Sequence, residues 1–455
     1  MLERVRRSGQ TAPDIETDTQ DAIFDYFAGQ IFRAAPERDR QTLLRGAFAP
    51  RLTASVLCAL ADDPEAGRLL ETLYRRHLFT DRRRFVAGES SPDTATQRSH
   101  AYQFHALFRA FLRREAERVF TPAEARSLME RTATLLVHEG LVEDAIGLYA
   151  EARDWKSVEG LVLRDAPELL QQGRWKTIVE WTDRLPRPVL HANPWLLTWT
   201  GKALIPIDQK AARDHLERAW EHFVADDDRA GQLVAIAGIV WTHYFEAFAT
   251  ESMDRWIEPL ERLLGEGGTF PSTSVELAAY SAFQLVTMFV KPSHPMLHPC
   301  ALRLIDLMDS DVDANERVSA AAFLVQYFDL IAQFELAARV IDRVDRLTRT
   351  ADLSPVGLVA WHTNRGYHCY ITARYAEAME TLDRAVELAH ANGLPQGEFS
   401  AHVFRAFAAA IENDIPTGLG AVRSQEKLLL PMWRVSVAQY HLSMSLLEQQ
   451  RGHAA

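Results

Sequence analysis

Cysteine is scarce: the 455 residues hold three, Cys58, Cys300 and Cys369, far apart along the chain. So sparse and odd a set excludes a disulfide framework and points to a reducing compartment. Long apolar runs are lacking as well. The longest, "LVAIAGIVW" (233–241), falls short of the roughly 20 residues a membrane-spanning helix needs, and the opening "MLERVRRSGQTAPD" has no apolar core of the kind a signal peptide carries. Positive charge is not in excess, since the net charge of −12 argues against a general nucleic-acid binder. These absences predict a soluble, cytoplasmic protein with no membrane partner.

Catalytic signatures are missing too. No G-x-x-x-x-G-K-[ST] occurs, and the one Gly-Lys pair, Gly201-Lys202, has Leu196 where the first glycine belongs. No G-x-S-x-G is present, and no cysteine accompanies a His-Asn framework. His294, His298 and Cys300 in "HPMLHPC" have metal-ligand spacing. Pro292, Pro295 and Pro299 are expected to break any helix there, and no fourth ligand is near. Asp309, Asp311 and Asp313 begin like a calcium loop, but Ala314 and Ala320 stand where Gly and Glu are required; helix capping by Asp313 or Asn315 is the simpler reading. The expectation is a chain with no catalytic residues, no metal and no cofactor.

What is present is helix. The chain is too long for one core of ordinary size, so several domains or a repeat array are expected. Residues 1–20 read as a flexible segment. Within 21–120, four short helices are expected. The first, "DAIFDYFAGQIF", turns Ile23, Phe24, Phe27 and Ile31 inward. The second starts at Pro36 and buries Leu43, Leu44 and Phe48. The third follows Thr53 as N-cap, and the fourth runs from about Pro64 to Arg76 over Leu69, Leu70 and Leu73. "RRFV" and "AYQF" look extended, with the turn-rich "AGESSPDTATQRSH" between them, and "YQFHALFRAFLRRE" (102–115) sets Phe104, Leu107, Phe108, Phe111 and Leu112 at helical spacing. Helices, a hairpin with a long tip and a closing helix make the outline of a winged helix.

From Thr121 the chain reads as helices with short breaks. "TPAE" is a capping box, with Thr121 at the N-cap and Glu124 three residues on. "NRGYHCYITARYAEAMETLDRAVELA" (364–389) places Gly366, Ala378 and Ala385 where paired helices approach closely, the pattern of a tetratricopeptide repeat, with Trp361 in place of its N-terminal tryptophan. "GLVEDAIGLYAEARDW" (140–155) is a degenerate copy. A period near 34 residues predicts some eight to ten helical hairpins over 121–455, stacked as an α-solenoid. The fold class expected is therefore mainly all-α: a winged-helix-like domain over 21–120 with a small β-hairpin, then a tetratricopeptide-like solenoid over 121–455.

These segments resemble a known family. "LLETLYRRHLFT" (69–80) and "YQFHALFRAFL" are similar to the winged-helix module of MalT-like transcriptional regulators, large signal-transduction ATPases of the LuxR-type group. "LVEDAIGLYAEARDW", "LLQQGRWKTIVEWTDRLP" and "NPWLLTWTGKALIP" resemble their first sensor repeats. The resemblance covers roughly 21–450. It implies a sensor portion that binds a small-molecule inducer or a protein on its helical repeats and works with an ATPase module in cis or in trans. The family's ATPase motif and DNA-binding output domain are not matched by this sequence, so nucleotide hydrolysis and DNA reading by the chain are not expected. A stand-alone tetratricopeptide interaction scaffold is the alternative.

The candidate site residues follow from that picture. His105, at the strand-to-helix junction, either approaches the phosphate of a nucleotide on the ATPase module or caps the closing helix. Arg82, Arg83 and Arg84 belong to a cluster over 71–120 in which ten arginines face six carboxylates. That cluster is expected to dock a partner module or to be solvated rather than to grip DNA. Thr363, Asn364, Tyr367 and Tyr370 sit where a first repeat helix lines the groove, and flat rings there hold ligands or peptides. Finally, "PMWRVSVAQYHLSMSLLEQQ" is apolar on more than one side, which predicts self-association through this last helix, because a terminal repeat normally has a polar outer face.

Overall fold

The computed structural model describes residues 28–85, 99–246, 250–265, 270–351, 353–428 and 434–450. Ile23, Phe24 and Phe27, and the hairpin tip, fall outside the described residues. The chain divides into two units, Met1–Leu161 and Val162–Ala455.

The first unit opens with a helical segment over 28–34, then α1 (Glu37–Gly46), α2 (Ala54–Ala61) and α3 (Gly67–Arg75). Pro36 stands one place before the helix it was expected to start, and Thr53 accepts a hydrogen bond from Val56 N as the N-cap of α2. Strands β1 (Thr80–Phe85) and β2 (Ser99–Phe104) form an antiparallel hairpin with Thr80 opposite Phe104 and Arg82 opposite Tyr102. Leu52 extends the sheet by one bridge to Tyr102, with N–H···O bonds of 2.8 and 2.7 Å. Helix α4 (Ala106–Val119) closes the module. Phe108, fully buried, packs against Phe79, Phe104 and Phe111 at ring separations of 5.5, 5.7 and 6.5 Å. One expectation fails: Leu107 is exposed. The 3.6-residue count was started at Phe104, but Phe104 belongs to β2 and the helix begins two residues later, so its phase is set elsewhere.

Helices α5 (Pro122–His138) and α6 (Val142–Ala152) pack as a pair and belong to the same unit. Both halves of the expected capping box at Thr121 and Glu124 are present. Charged contacts fasten this pair to the winged helix: Arg51 to Asp144, Arg113 to Glu151, Arg131 to Asp62, and Ser55 to Glu139.

Helices α7 (Trp155–Gln171), α8 (Trp175–Thr182) and α9 (Arg187–Ala192) lead into the array of the second unit. Its first helices are α10 (Pro194–Leu204), α12 (Arg229–Glu246), α15 (Thr273–Val290), α17 (Ala314–Leu330), α19 (Pro355–Ile371), α21 (Pro395–Ile411) and α23 (Arg434–Gln450). Each packs on the next, giving one continuous layer. The second layer consists of α11 (Gln209–Ala225), α14 (Ile257–Gly265) after the short α13 (Thr250–Asp254), α16 (Leu297–Leu307), α18 (Phe334–Thr350), α20 (Tyr375–Ala391) and α22 (Ile415–Leu428). The architecture is the expected two-layer helical solenoid. Its period differs from the expected one: from Thr273 onward first helices begin about 40 residues apart, because every helix of these pairs except the shorter α16 runs to about four or five turns, longer than the units behind a 34-residue repeat.

The turns explain why the repeat is faint in the sequence. After α17, α19 and α21 the chain takes one left-handed residue, Ala332, Ala373 or Asn413, and the next residue's N–H bonds five residues back, as Gln333 to Phe328 O (2.8 Å), Arg374 to Cys369 O (2.8 Å) and Asp414 to Ala409 O (2.9 Å). Gly173 and Gly393 make the same closure after α7 and α20. This Schellman geometry favours glycine, yet three of these five sites carry another residue. Close approach marks the clear repeat: a Cβ on Gly366 would lie 2.5 Å from Leu382 Cγ.

A large core cluster runs unbroken from Leu216 to Trp361, while smaller alanine-rich clusters serve the last repeats. Helix α15 is the one described helix long and apolar enough to cross a membrane, a length the run at 233–241 did not reveal. It is a core helix: buried Ser281, Gln284 and Thr287 interrupt it, and α12, α16 and α17 pack around it.

The expected helix break at "HPMLHPC" occurs at its first two prolines, since Pro292 and Pro295 lie in the turn between Val290 and Leu297, but not at Pro299. Helix α16 begins at Leu297 and contains Pro299 in its first turn, where the missing N–H has no intrahelical partner to lose. His294 lies 3.5 Å from Glu261, His298 meets the Tyr327 hydroxyl at 3.2 Å, and Cys300 is buried, its thiol pushed up to about 12 by that burial. Asp313 caps α17, accepting from Asn315 N at 2.8 Å, as expected.

A candidate ligand-binding surface on the first-helix layer

In the winged helix, the arginine cluster is largely engaged. Arg82 lies 4.4 Å over the Tyr74 ring and pairs with Glu71, which also accepts from the Tyr102 hydroxyl at 2.7 Å and from Arg75 at 2.7 Å. Arg109 reaches back to the carbonyls of Ala47 and Phe48 at 3.1 and 2.8 Å. Arg83 is exposed on β1; the Arg84 side chain lies outside the described residues. His105 occupies the N-cap position of α4, exposed, with no side-chain capping bond, and its N–H donates to Phe79 O at 2.8 Å.

In the second unit, aromatic rings concentrate on the first helices, and they touch from one first helix to the next. Trp241 and Tyr244 of α12 meet Phe323 of α17 at 5.2 and 4.9 Å, and Tyr244 lies 6.2 Å from Phe289 of α15. Further along, Tyr367 and Tyr370 of α19 meet Phe404 and Phe407 of α21 at 4.8 and 6.3 Å. Most of these rings are half-buried, so the layer carries two blocks of ring surface. Burial raises the Tyr244 and Tyr367 hydroxyls above the usual phenol range, so both stay neutral hydrogen-bonding groups.

Of the four expected recognition residues, Tyr367 and Tyr370 lie in this surface. Thr363 and Asn364 are buried, with Asn364 Nδ2 donating to Ala360 O at 3.0 Å and Thr363 Oγ1 without a partner among the described residues. Beneath Tyr367 sits a pair that sequence reading missed. His368 Nδ1 and Asp329 Oδ1 are 2.7 Å apart and buried, and Asp329 Oδ2 has no described partner. Burial raises the Asp329 carboxyl, against the pull of His368. Phe404 and Phe407 also went unnoticed; "FRAFAAAI" shows its pair of rings only once α21 is known to be a first helix.

Lys202, met in the sequence only as half of a failed nucleotide motif, sits on α10 with its ammonium 5.3 Å from the Trp199 ring, itself stacked on Trp195 at 5.9 Å. Glu316 in the first turn of α17 is near enough to act on its charge, and Ser274 Oγ of α15 donates to that carboxylate. Two first helices thus bring charges together although α12 and α15 intervene in the stack. The same curvature brings the start of α17 to the end of α7, where Asn315 Nδ2 lies 3.5 Å from Gln171 O, while Asn315 Oδ1 accepts from Ser354 N at 2.6 Å.

Comparison with known proteins agrees with this architecture. Residues 28–125 match the MalT winged helix domain family. The first unit carries a MalT-type winged helix. Among solved structures, the chain is similar to a Signal Transduction ATPase with Numerous Domains (STAND) protein with a tetratricopeptide repeat sensor from Pyrococcus horikoshii. The TM-score is 0.57 at 10% identity, over 95% of this chain. The chain spans 63% of that protein's length. No curated protein matches the sequence. The comparisons thus agree with a MalT-like winged helix followed by tetratricopeptide-like repeats.

Proposed function

We propose that this chain is the non-catalytic, cytoplasmic sensor portion of a MalT-like, LuxR-type, ATP-dependent transcriptional regulator. The winged helix docks on an ATPase module, in cis or in trans, through the face bearing Arg83 and His105. The repeats bind a small-molecule inducer or a protein partner, and binding shifts the module between resting and active assemblies because the two states hold the ligand with different affinity. The observation that carries this reading is the ring surface on the first helices. Half-buried Tyr367, Tyr370, Phe404 and Phe407 offer flat apolar area, with neutral hydroxyls to orient what lies on it. Self-association through α23 belongs to the same reading, since Leu442 and Leu446 are exposed on it.

A thermal-shift screen of the purified chain against sugars, organic acids, amino acids and short peptides tests the sensor role. A ligand at a hundredfold excess over its Kd stabilises by about 2.7 kcal/mol, and the Tyr367→Ala/Phe404→Ala double variant should lose that stabilisation. A chain that no compound stabilises, and that forms no complex with a purified MalT-type ATPase module, is the stand-alone scaffold instead.

A further inference from the structure

Three consecutive turns of the array share a pattern whose apolar ends the fold leaves at the surface. Between first and second helix the chain reads "LIAQF" (330–334), "ITARY" (371–375) and "IENDI" (411–415). The middle residue of each, Ala332, Ala373 or Asn413, is the left-handed one, so the three turns are equivalent residue by residue. Two residues before it stands the last residue of a first helix, Leu330, Ile371 or Ile411. Their relative exposures are 56%, 38% and 50%. Two residues after it each second helix begins with another apolar residue, exposed Phe334 and half-buried Tyr375 and Ile415. Large apolar residues scattered singly over a surface need no explanation, whereas a contiguous patch marks a contact site. These residues are not scattered. Helix α17 packs on α19 and α19 on α21, so their like ends stand side by side, roughly 8–10 Å apart as packed helices do. Together they form an apolar ridge along one edge of the second unit.

The free charge beside this ridge has one sign. Glu335, Glu412 and Asp414 are exposed, and none of them forms an ion pair with a described residue. The cation in these turns, Arg374, is already paired with Glu377 at 2.8 Å. A second copy docked edge to edge would set these carboxylates against their own kind, and like charges across a contact oppose it. The spacing suits a helix instead, since seven residues of helix advance about 10.5 Å, close to the step from one turn to the next. We propose that this edge docks a basic amphipathic helix of a partner protein. An apolar residue at every seventh position lies over Leu330, Ile371 and Ile411, and flanking lysines or arginines face the three carboxylates. A helix held in this way is read through the anchors on one of its faces. None of the rings behind the sensor reading belongs to this ridge, so the docking holds without that reading.

Fluorescence anisotropy of two labelled helical peptides, titrated with the full chain, tests the assignment. Each is about 17 residues long, enough to span the ridge at 1.5 Å per residue, and carries leucine at every seventh position. One has lysines beside the leucines and the other glutamates. At low salt the lysine peptide should bind about tenfold or more tighter than the glutamate peptide, and added salt should narrow the gap. Ile371→Ser/Ile411→Ser should weaken the lysine peptide about tenfold or more. Because both side chains are exposed, the same variant should hold its melting temperature within about 2 °C. Glu335→Lys/Glu412→Lys should remove most of the preference for lysine while leaving the apolar ridge in place. Equal binding of the two peptides, binding of neither, indifference to the serine variant, or a fall of several degrees in its melting temperature overturns the proposal. So does light scattering that finds a wild-type dimer and a monomeric serine variant, since the occupant is then a second copy. The sensor reading stands or falls separately, on the Tyr367 and Phe404 variants in the wider screen.

Discussion

At the scale of single residues, this solenoid depends on places where no atom can be added. Gly366 is the sharpest in the clear repeat, because Leu382 is fully buried and its branch point sits where a Cβ would go. Gly366→Ala gains helix propensity but must displace a packed leucine, and we expect a net loss of about 1–3 kcal/mol in urea unfolding. Gly160 in α7 is the internal control. It is exposed, and nothing lies within 4 Å of a Cβ placed there. Gly160→Ala should be neutral or stabilising by up to about 1 kcal/mol. Equal effects at the two positions would mean that the packing argument is wrong.

Buried histidines give a second residue-scale expectation. His243 and His402 are buried, and burial, helped by nearby arginines, lowers each from 6.5 to about 4. The native state therefore holds fewer protons than the unfolded chain between these values. The stability they contribute is complete above pH 6.5 and is lost as pH falls toward 4. The slope is about 1.4 kcal/mol per pH unit for each such group. Urea midpoints measured at pH 7.5, 6 and 5 should fall steadily for the wild type and less steeply for His402→Gln. Asp329 works in the opposite sense: raised by burial, it contributes stability at low pH that is lost as pH rises through its folded value.

At the scale of elements, what the sequence revealed depended on whether the signal was local. Caps are local, and Thr53, Thr121 and Asp313 all sit where their side chains predict. Thr121→Ala removes one half of a reciprocal box and should cost about 1 kcal/mol in the urea unfolding of the full chain; no measurable change would show that α5 is held by its packing alone. The hairpin was legible from the turn-rich tip between two extended stretches, and the closing helix from the helical spacing of Phe108, Phe111 and Leu112. Signals that depend on a neighbour were not. Leu107 was placed inward because the strand end was counted as helix. Pro299 was read as a breaker because nothing local announces that its helix starts two residues earlier. The 40-residue spacing was hidden because alanine and asparagine fill left-handed turn positions that glycine would have marked. The same division applies to the candidate surface. Tyr367 and Tyr370 belong to the one repeat with a recognisable pattern, whereas Phe404, Phe407 and Lys202 acquire meaning only when helices from other repeats lie beside them.

At the scale of the whole molecule, a solenoid unit is a chain of nearest-neighbour interfaces, so its weakest link opens first. In the second unit these interfaces are unequal. From Leu216 to Trp361 one apolar cluster links α11 to α19 and contains Phe283, Phe328 and Trp361, all fully buried. Beyond it the core breaks into small pieces: Leu382 with Ala385 and Ala401, then Ala406, Ala410, Ala421, Val422 and Leu447. Alanine buries little apolar area, and stabilisation scales with that area at about 25 cal/mol per Å². Helices α21 to α23 should therefore open separately, with amide exchange protection falling in steps from α17 to α23. The Tyr367–Phe404 contact lies at the joint between the strong and weak segments. A ligand seated there would be held by rings on both sides of the joint, and its binding should slow exchange in α21 and α22 well beyond the residues it touches. Hydrogen exchange read by mass spectrometry, with and without a stabilising compound, decides this: uniform protection across α17 to α23 in the free chain would mean that the unit unfolds as one body, and the joint could not then serve as the element that a ligand sets.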